Sequence, residues 1–124
     1  MLKIKHRLAT IFLAFTGFSA GVAHAIENGP APTLSSVQTT GPYAITSQTI
    51  SGNTSWAGGT VYVPTTAGKY AVVAFVPGFT NTQSAVQPLA RRLASHGFVV
   101  MTINTKSRYD QPSARATQLL AGRV

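Results

Sequence analysis

Two nearly unbroken apolar runs, Tyr70–Val76 (YAVVAFV) and Phe98–Ile103 (FVVMTI), constrain this chain more than any other feature. Strands that read this way have both faces covered, since neither face can be left to water. Between the runs, Val86, Leu89, Ala90, Leu93 and Ala94 recur at helical spacing and form one apolar stripe, with Arg91, Arg92 and Ser95 pointing elsewhere. Strand, helix and strand in this order make a βαβ unit, which predicts a parallel pair joined by a right-handed crossover. The helix has two candidate starts: Ser84 with Gln87 as a capping box, or Pro88 at the first helical position. Gly97 suits a left-handed C-terminal cap, and His96 in the last turn complements the helix dipole.

The flanks are different in character. Tyr43–Ile50 alternates and is β-rich; Thr60–Val63 makes a second strand ended by Pro64. Short polar turns join these strands, which predicts antiparallel pairing. A further helix is predicted to begin near Pro112 or Ser113, with Ala116, Leu119 and Leu120 as its apolar positions. Residues 26–40 are rich in Pro, Ser, Thr and Gly, show no periodicity and read as an extended lead-in.

Residues 1–25 read as a signal peptide. Lys3, Lys5 and Arg7 form a basic start, Leu8–Val22 a mostly apolar run, and Ala23-His24-Ala25 a small-x-small cleavage pattern. The run is short for a membrane span and broken by Gly17 and Gly21, and an uncleaved anchor is the alternative. Cleavage leaves Ile26–Val124, whose seven Lys and Arg face only Glu27 and Asp110, a net +5. The bases are scattered without interleaved aromatics, which argues against nucleic-acid binding. The chain has no cysteine, so it holds no disulfide, and this is compatible with export.

Little in the exported part carries nucleophilic chemistry. The one literal G-x-S-x-G, Gly17-Phe18-Ser19-Ala20-Gly21, lies in the signal peptide with no strand before it. After residue 25 there is one histidine, His96, and one aspartate, Asp110. A triad of Ser84, His96 and Asp110 fails on distance, because Ser84 and His96 sit at opposite ends of the predicted helix, about 18 Å apart at ~1.5 Å per residue. Asp110, before Gln111-Pro112, reads as a turn or cap residue. No metal-ligand spacing and no phosphate-binding glycine loop occurs, so no metal or cofactor is expected. Pro77-Gly78-Phe79-Thr80 is better placed, at the carboxyl end of the first buried strand, where α/β proteins put their sites.

Several motifs in fixed order now point one way. Gly41-Pro42-Tyr43, Gly58-Gly59-Thr60-Val61-Tyr62-Val63-Pro64, Pro77-Gly78-Phe79-Thr80, Arg92–Val100 (RLASHGFVV), Asn104-Thr105 and Asp110–Arg115 (DQPSAR) together resemble the N-terminal part of bacterial cutinases and PET-hydrolase-like enzymes. The resemblance implies an α/β fold, the N-terminal half of an α/β-hydrolase: a mostly parallel sheet with flanking helices, its first strands antiparallel. Residues 41–124 would form this partial domain, truncated before the nucleophile. The implied parent is a monomeric serine ester hydrolase, secreted or periplasmic, that cleaves cutin-like or synthetic polyesters and short acyl esters. It would need no cofactor and keep no stable membrane association once the signal is removed.

In that family the turn after the first buried strand is usually P-G-Y-T. The resemblance assigns Phe79 two roles: its backbone N–H as an oxyanion donor and its ring as a cleft wall. Thr80 and Gln83 are expected to line the same cleft. Phe79 keeps the N–H but lacks the family's hydroxyl. The 124 residues alone are expected to be inactive, and to expose an apolar edge along Tyr70–Val76 that favours aggregation. A non-catalytic exported module, or a partial product without function, are the alternatives from other classes.

Overall fold

The computed structural model describes residues 30–122. The signal-peptide reading and the G-x-S-x-G at 17–21 lie outside these residues. The first strand, β1, spans Ile45–Ile50, β2 Gly59–Pro64, β3 Ala71–Phe75 and β4 Phe98–Ile103. They form one four-stranded sheet in the order β1-β2-β4-β3. The first two strands pair antiparallel, β2 pairs antiparallel with β4, and β3 pairs parallel with β4. The antiparallel start and the parallel βαβ pair are thus both present, and the sheet is mixed.

Strand alternation sorts the core into two clusters. On one face Tyr62 and Val100 meet Ala90 and Ala94 of a helix at Gln87–Ser95, with Ile45, Phe75, Leu93 and Phe98 around them. On the other, Met101 and Ile103 meet Trp56, with Val61, Val76 and Leu119 of a helix at Pro112–Ala121. Full burial of a side chain the size of Val100 or Ile103 stabilises the fold by ~1.5–3 kcal/mol, and the alanines contribute less. The two inner strands, β2 and β4, are buried or half-buried along their whole length, on both faces. On β3, Val72 and Ala74 are exposed, Val72 at 73 %. The sequence expectation that both faces of Tyr70–Val76 are covered is therefore not met among the described residues. An apolar run reports hydrophobicity, not which element supplies the cover.

Three local differences have physical causes. The lead-in holds a one-turn helix, α1 (Leu34–Gln38), capped by Thr33, whose hydroxyl accepts from the Ser36 N–H while Ser36 Oγ accepts from the Thr33 N–H. The helix of the βαβ unit, α2 (Gln87–Ser95), starts at neither expected cap. Its N-cap is Val86, Pro88 lies in its first turn, and a short 3₁₀ turn at Gln83–Ala85 occupies Ser84. Its end is as expected: Gly97 takes φ +95°, and the preceding His96 closes the last turn. The last helix, α3 (Pro112–Ala121), begins on its proline.

Tyr62 is fully buried, and its hydroxyl has no hydrogen-bond partner among the described residues. The Arg91 guanidinium stacks 5.1 Å above its ring. Tyr62→Phe keeps the ring and removes the orphan hydroxyl, so stability is expected to hold or rise by about 1 kcal/mol. Urea denaturation checks this, and a comparable loss would reveal a bonded hydroxyl.

Candidate active site

Parallel pairing brings the carboxyl ends of β3 and β4 side by side, so the segments that follow them meet at one edge of the sheet. Gly78, Phe79, Thr80 and Asn81 form a tight turn closed by the Asn81 N–H donating to the Gly78 carbonyl at 3.0 Å. Thr80, at the third position, has φ +65°. That is the signature of a type II turn, in which glycine or asparagine is the usual occupant. A β-branched residue there is strained and persists only where its surroundings hold it. The Thr80 N–H donates to the Arg108 carbonyl at 2.8 Å. The Thr80 hydroxyl donates to the Phe79 carbonyl at 2.6 Å.

Phe79 is 54 % exposed, and its N–H donates to no group among the described residues. Its ring meets Tyr109 edge-on, centroids 5.9 Å apart, and Tyr109 is 65 % exposed. The two rings make an apolar surface beside an open backbone donor. Gln83 is partly buried: its side-chain oxygen accepts from the Thr102 hydroxyl at 2.8 Å, and its N–H donates to Asn104 Oδ1 at 2.9 Å. It fastens the segment after the turn to the end of β4.

The structure keeps Ser84, His96 and Asp110 apart. The Ser84 hydroxyl bonds that of Thr82. His96, beyond the far end of α2, has Nε2 3.1 Å from the Thr39 carbonyl. Asp110 accepts from the Ser107 N–H at 3.1 Å and from Gln118 Nε2 at 2.7 Å, as a turn residue does. No group of three or more His, Cys, Asp or Glu lies within metal-binding reach among the described residues. No described helix is long and apolar enough to cross a membrane. A cavity of about 680 Å³ lies elsewhere, between residues 30–42 and α2, beside the amino end of β4. Phe79 takes no part in it.

One side chain at this edge is missing from the sequence reading. Arg115, on α3, is buried at 5 % exposure and donates to three backbone carbonyls: Pro77 and Arg108 at 2.6 Å, and Asp110 at 2.7 Å. The sequence places it only among the scattered bases. Its presence inside the DQPSAR motif was the only signal available.

The Asp110 carboxyl is held below its ordinary 3.8, chiefly by the hydrogen bond from Gln118 and then by that from Ser107. Desolvation opposes these, while the charges of Arg115 and Lys106 add to them. A folded-state pKa below the unfolded one stabilises the loop above about pH 4 and loses that effect as pH falls through the folded value. Asp110→Asn is expected to flatten the acid limb of stability against pH, as read by denaturation midpoints between neutral and strongly acidic buffers. An unchanged limb would contradict this account of the loop.

Residues 20–123 match the PET hydrolase-like family. The chain belongs to that family. It is similar to the bis(hydroxyethyl) terephthalate hydrolase of Streptomyces coelicolor, 41 % identical over 95 % of this chain and 43 % of that protein. A cutinase of Thermobifida fusca is 43 % identical over 82 % of this chain and 33 % of its own length. Cutinase 2 of Thermobifida cellulosilytica is 43 % identical over 81 % and 39 %. The chain thus spans less than half the length of these PET hydrolase-like relatives. Its four-stranded sheet with flanking helices is consistent with a partial α/β-hydrolase fold of this cutinase-like family.

Proposed function

We propose that this chain supplies the oxyanion-binding part of a serine ester hydrolase that acts on polyesters and related short esters. Sequence beyond residue 124 would contribute the nucleophilic serine, the aspartate and the histidine. One observation carries the reading: Phe79 offers an unused backbone N–H and an exposed ring on a tight turn at the carboxyl ends of parallel β3 and β4. The serine gives its proton to the histidine and adds to the ester carbonyl, and the Phe79 N–H stabilises the charge developing on the carbonyl oxygen. The ester C–O bond then breaks, the alcohol leaves with that proton, and activated water hydrolyses the acyl-enzyme to the acid and free serine. The Phe79 and Tyr109 rings form one apolar wall for an acyl or aromatic unit, and Thr80 borders it. Gln83 contributes by holding the segment to Thr102 and Asn104.

The enzyme would be exported after removal of residues 1–25 and act as a monomer, without cofactor. The 124 residues alone would not turn over p-nitrophenyl esters. Reading the DNA downstream of the Val124 codon in all three frames tests this. A strand followed by G-x-S-x-G and a helix, then aspartate and histidine, supports the reading. Absence of such a segment sinks it in favour of a non-catalytic remnant.

A further inference from the structure

We propose that Arg115 is a positioning residue that fixes the oxyanion turn in its working conformation, an inference that rests on the role proposed for Phe79. A buried guanidinium costs free energy unless its N–H groups are satisfied. Here the partners are three backbone carbonyls, on two loops. Pro77 lies two residues before Phe79. Arg108 is the shared node, since its carbonyl also accepts from the N–H of Thr80, the residue after Phe79. The clamp therefore holds the turn on both sides of Phe79 and leaves the Phe79 N–H open. It also accounts for Thr80 at φ +65°, a conformation that a threonine keeps only when its surroundings over-determine it. The planar fork of arginine reaches several acceptors at fixed angles; a lysine ammonium is a single point donor.

The test compares Arg115→Met and Arg115→Lys in the full-length protein expressed from its complete reading frame, at a temperature well below the melting point of each variant. Arg115→Met is expected to lower kcat at least tenfold and to leave KM within about twofold. Affinity for a boronic acid, which mimics the tetrahedral oxyanion, should fall by a similar factor. Arg115→Lys should recover only part of either loss. A variant that melts earlier yet keeps kcat would overturn the proposal, because a purely structural arginine behaves that way. The unaltered protein gives a reading that no folding defect can obscure. Arg115 Nε and Nη protons should be individually resolved in NMR spectra and protected from exchange, and averaged, fast-exchanging signals would overturn the clamp.

The Phe79 reading fails separately, if removing its N–H leaves kcat unaffected. If removing that N–H lowers kcat while Arg115→Met does not, only the clamp is lost.

Discussion

Phe79→Pro is expected to lower kcat by about 10²–10³ relative to Phe79→Ala, the cost of losing one oxyanion donor. The comparison isolates the backbone N–H, because both variants lose the ring and only proline loses the donor. Proline suits the second position of a type II turn, where φ lies near −60°. The turn's own hydrogen bonds, Asn81 N–H to Gly78 and Thr80 N–H to Arg108, do not use the lost group. Phe79 is more than half exposed, so Phe79→Ala itself should cost little stability. Steady-state kinetics of the full-length variants on a p-nitrophenyl ester, with a denaturation curve for each, measures the difference. Equal kcat values would remove Phe79 from the oxyanion site.

The second large effect is a contrast between two glycines. At Gly59, on β2, an added Cβ would fall inside contact distance of the Thr102 carbonyl oxygen, with the Ile103 Cα at 3.1 Å. Both are backbone atoms of the neighbouring β4, so Gly59→Ala must push two paired strands apart. A loss of about 3 kcal/mol or more is expected. The damage should reach the site, because the Asn104 N–H donates to the Gly58 carbonyl at 2.8 Å and Asn104 in turn anchors Gln83. At Gly78, inside the turn, an added Cβ meets only Asn81 Nδ2 at 3.7 Å. Gly78→Ala should therefore leave the melting point within a few degrees. Thermal unfolding of the two variants decides the matter, and similar losses at both positions would contradict the strand spacing described.

The βαβ unit was legible because periodicity is a local signal. The stripe from Val86 to Ala94 and the runs on either side place α2, β3 and β4 within a residue or two. Gly97 was legible for the same reason, since a left-handed cap has a residue preference. Arg115 was not legible, because its acceptor Pro77 lies 38 residues away and a base with carbonyl partners has no sequence signature. Thr80 ran against propensity: nothing in PGFT announces a threonine at positive φ, which is held by contacts distant in sequence, among them the Arg108 carbonyl. The lead-in helix was missed because Ser36, not the usual glutamate or glutamine, completes its capping box. The exposed face of β3 was misread because the composition of Tyr70–Val76 shows only that the run is apolar.

The most direct measurement is hydrolysis of p-nitrophenyl butyrate and bis(hydroxyethyl) terephthalate by the full-length protein, before and after treatment with a serine-directed phosphonate. The account predicts turnover of both esters, abolished when one serine beyond residue 124 is labelled. No turnover by a folded full-length protein, or turnover that the phosphonate leaves intact, would contradict it.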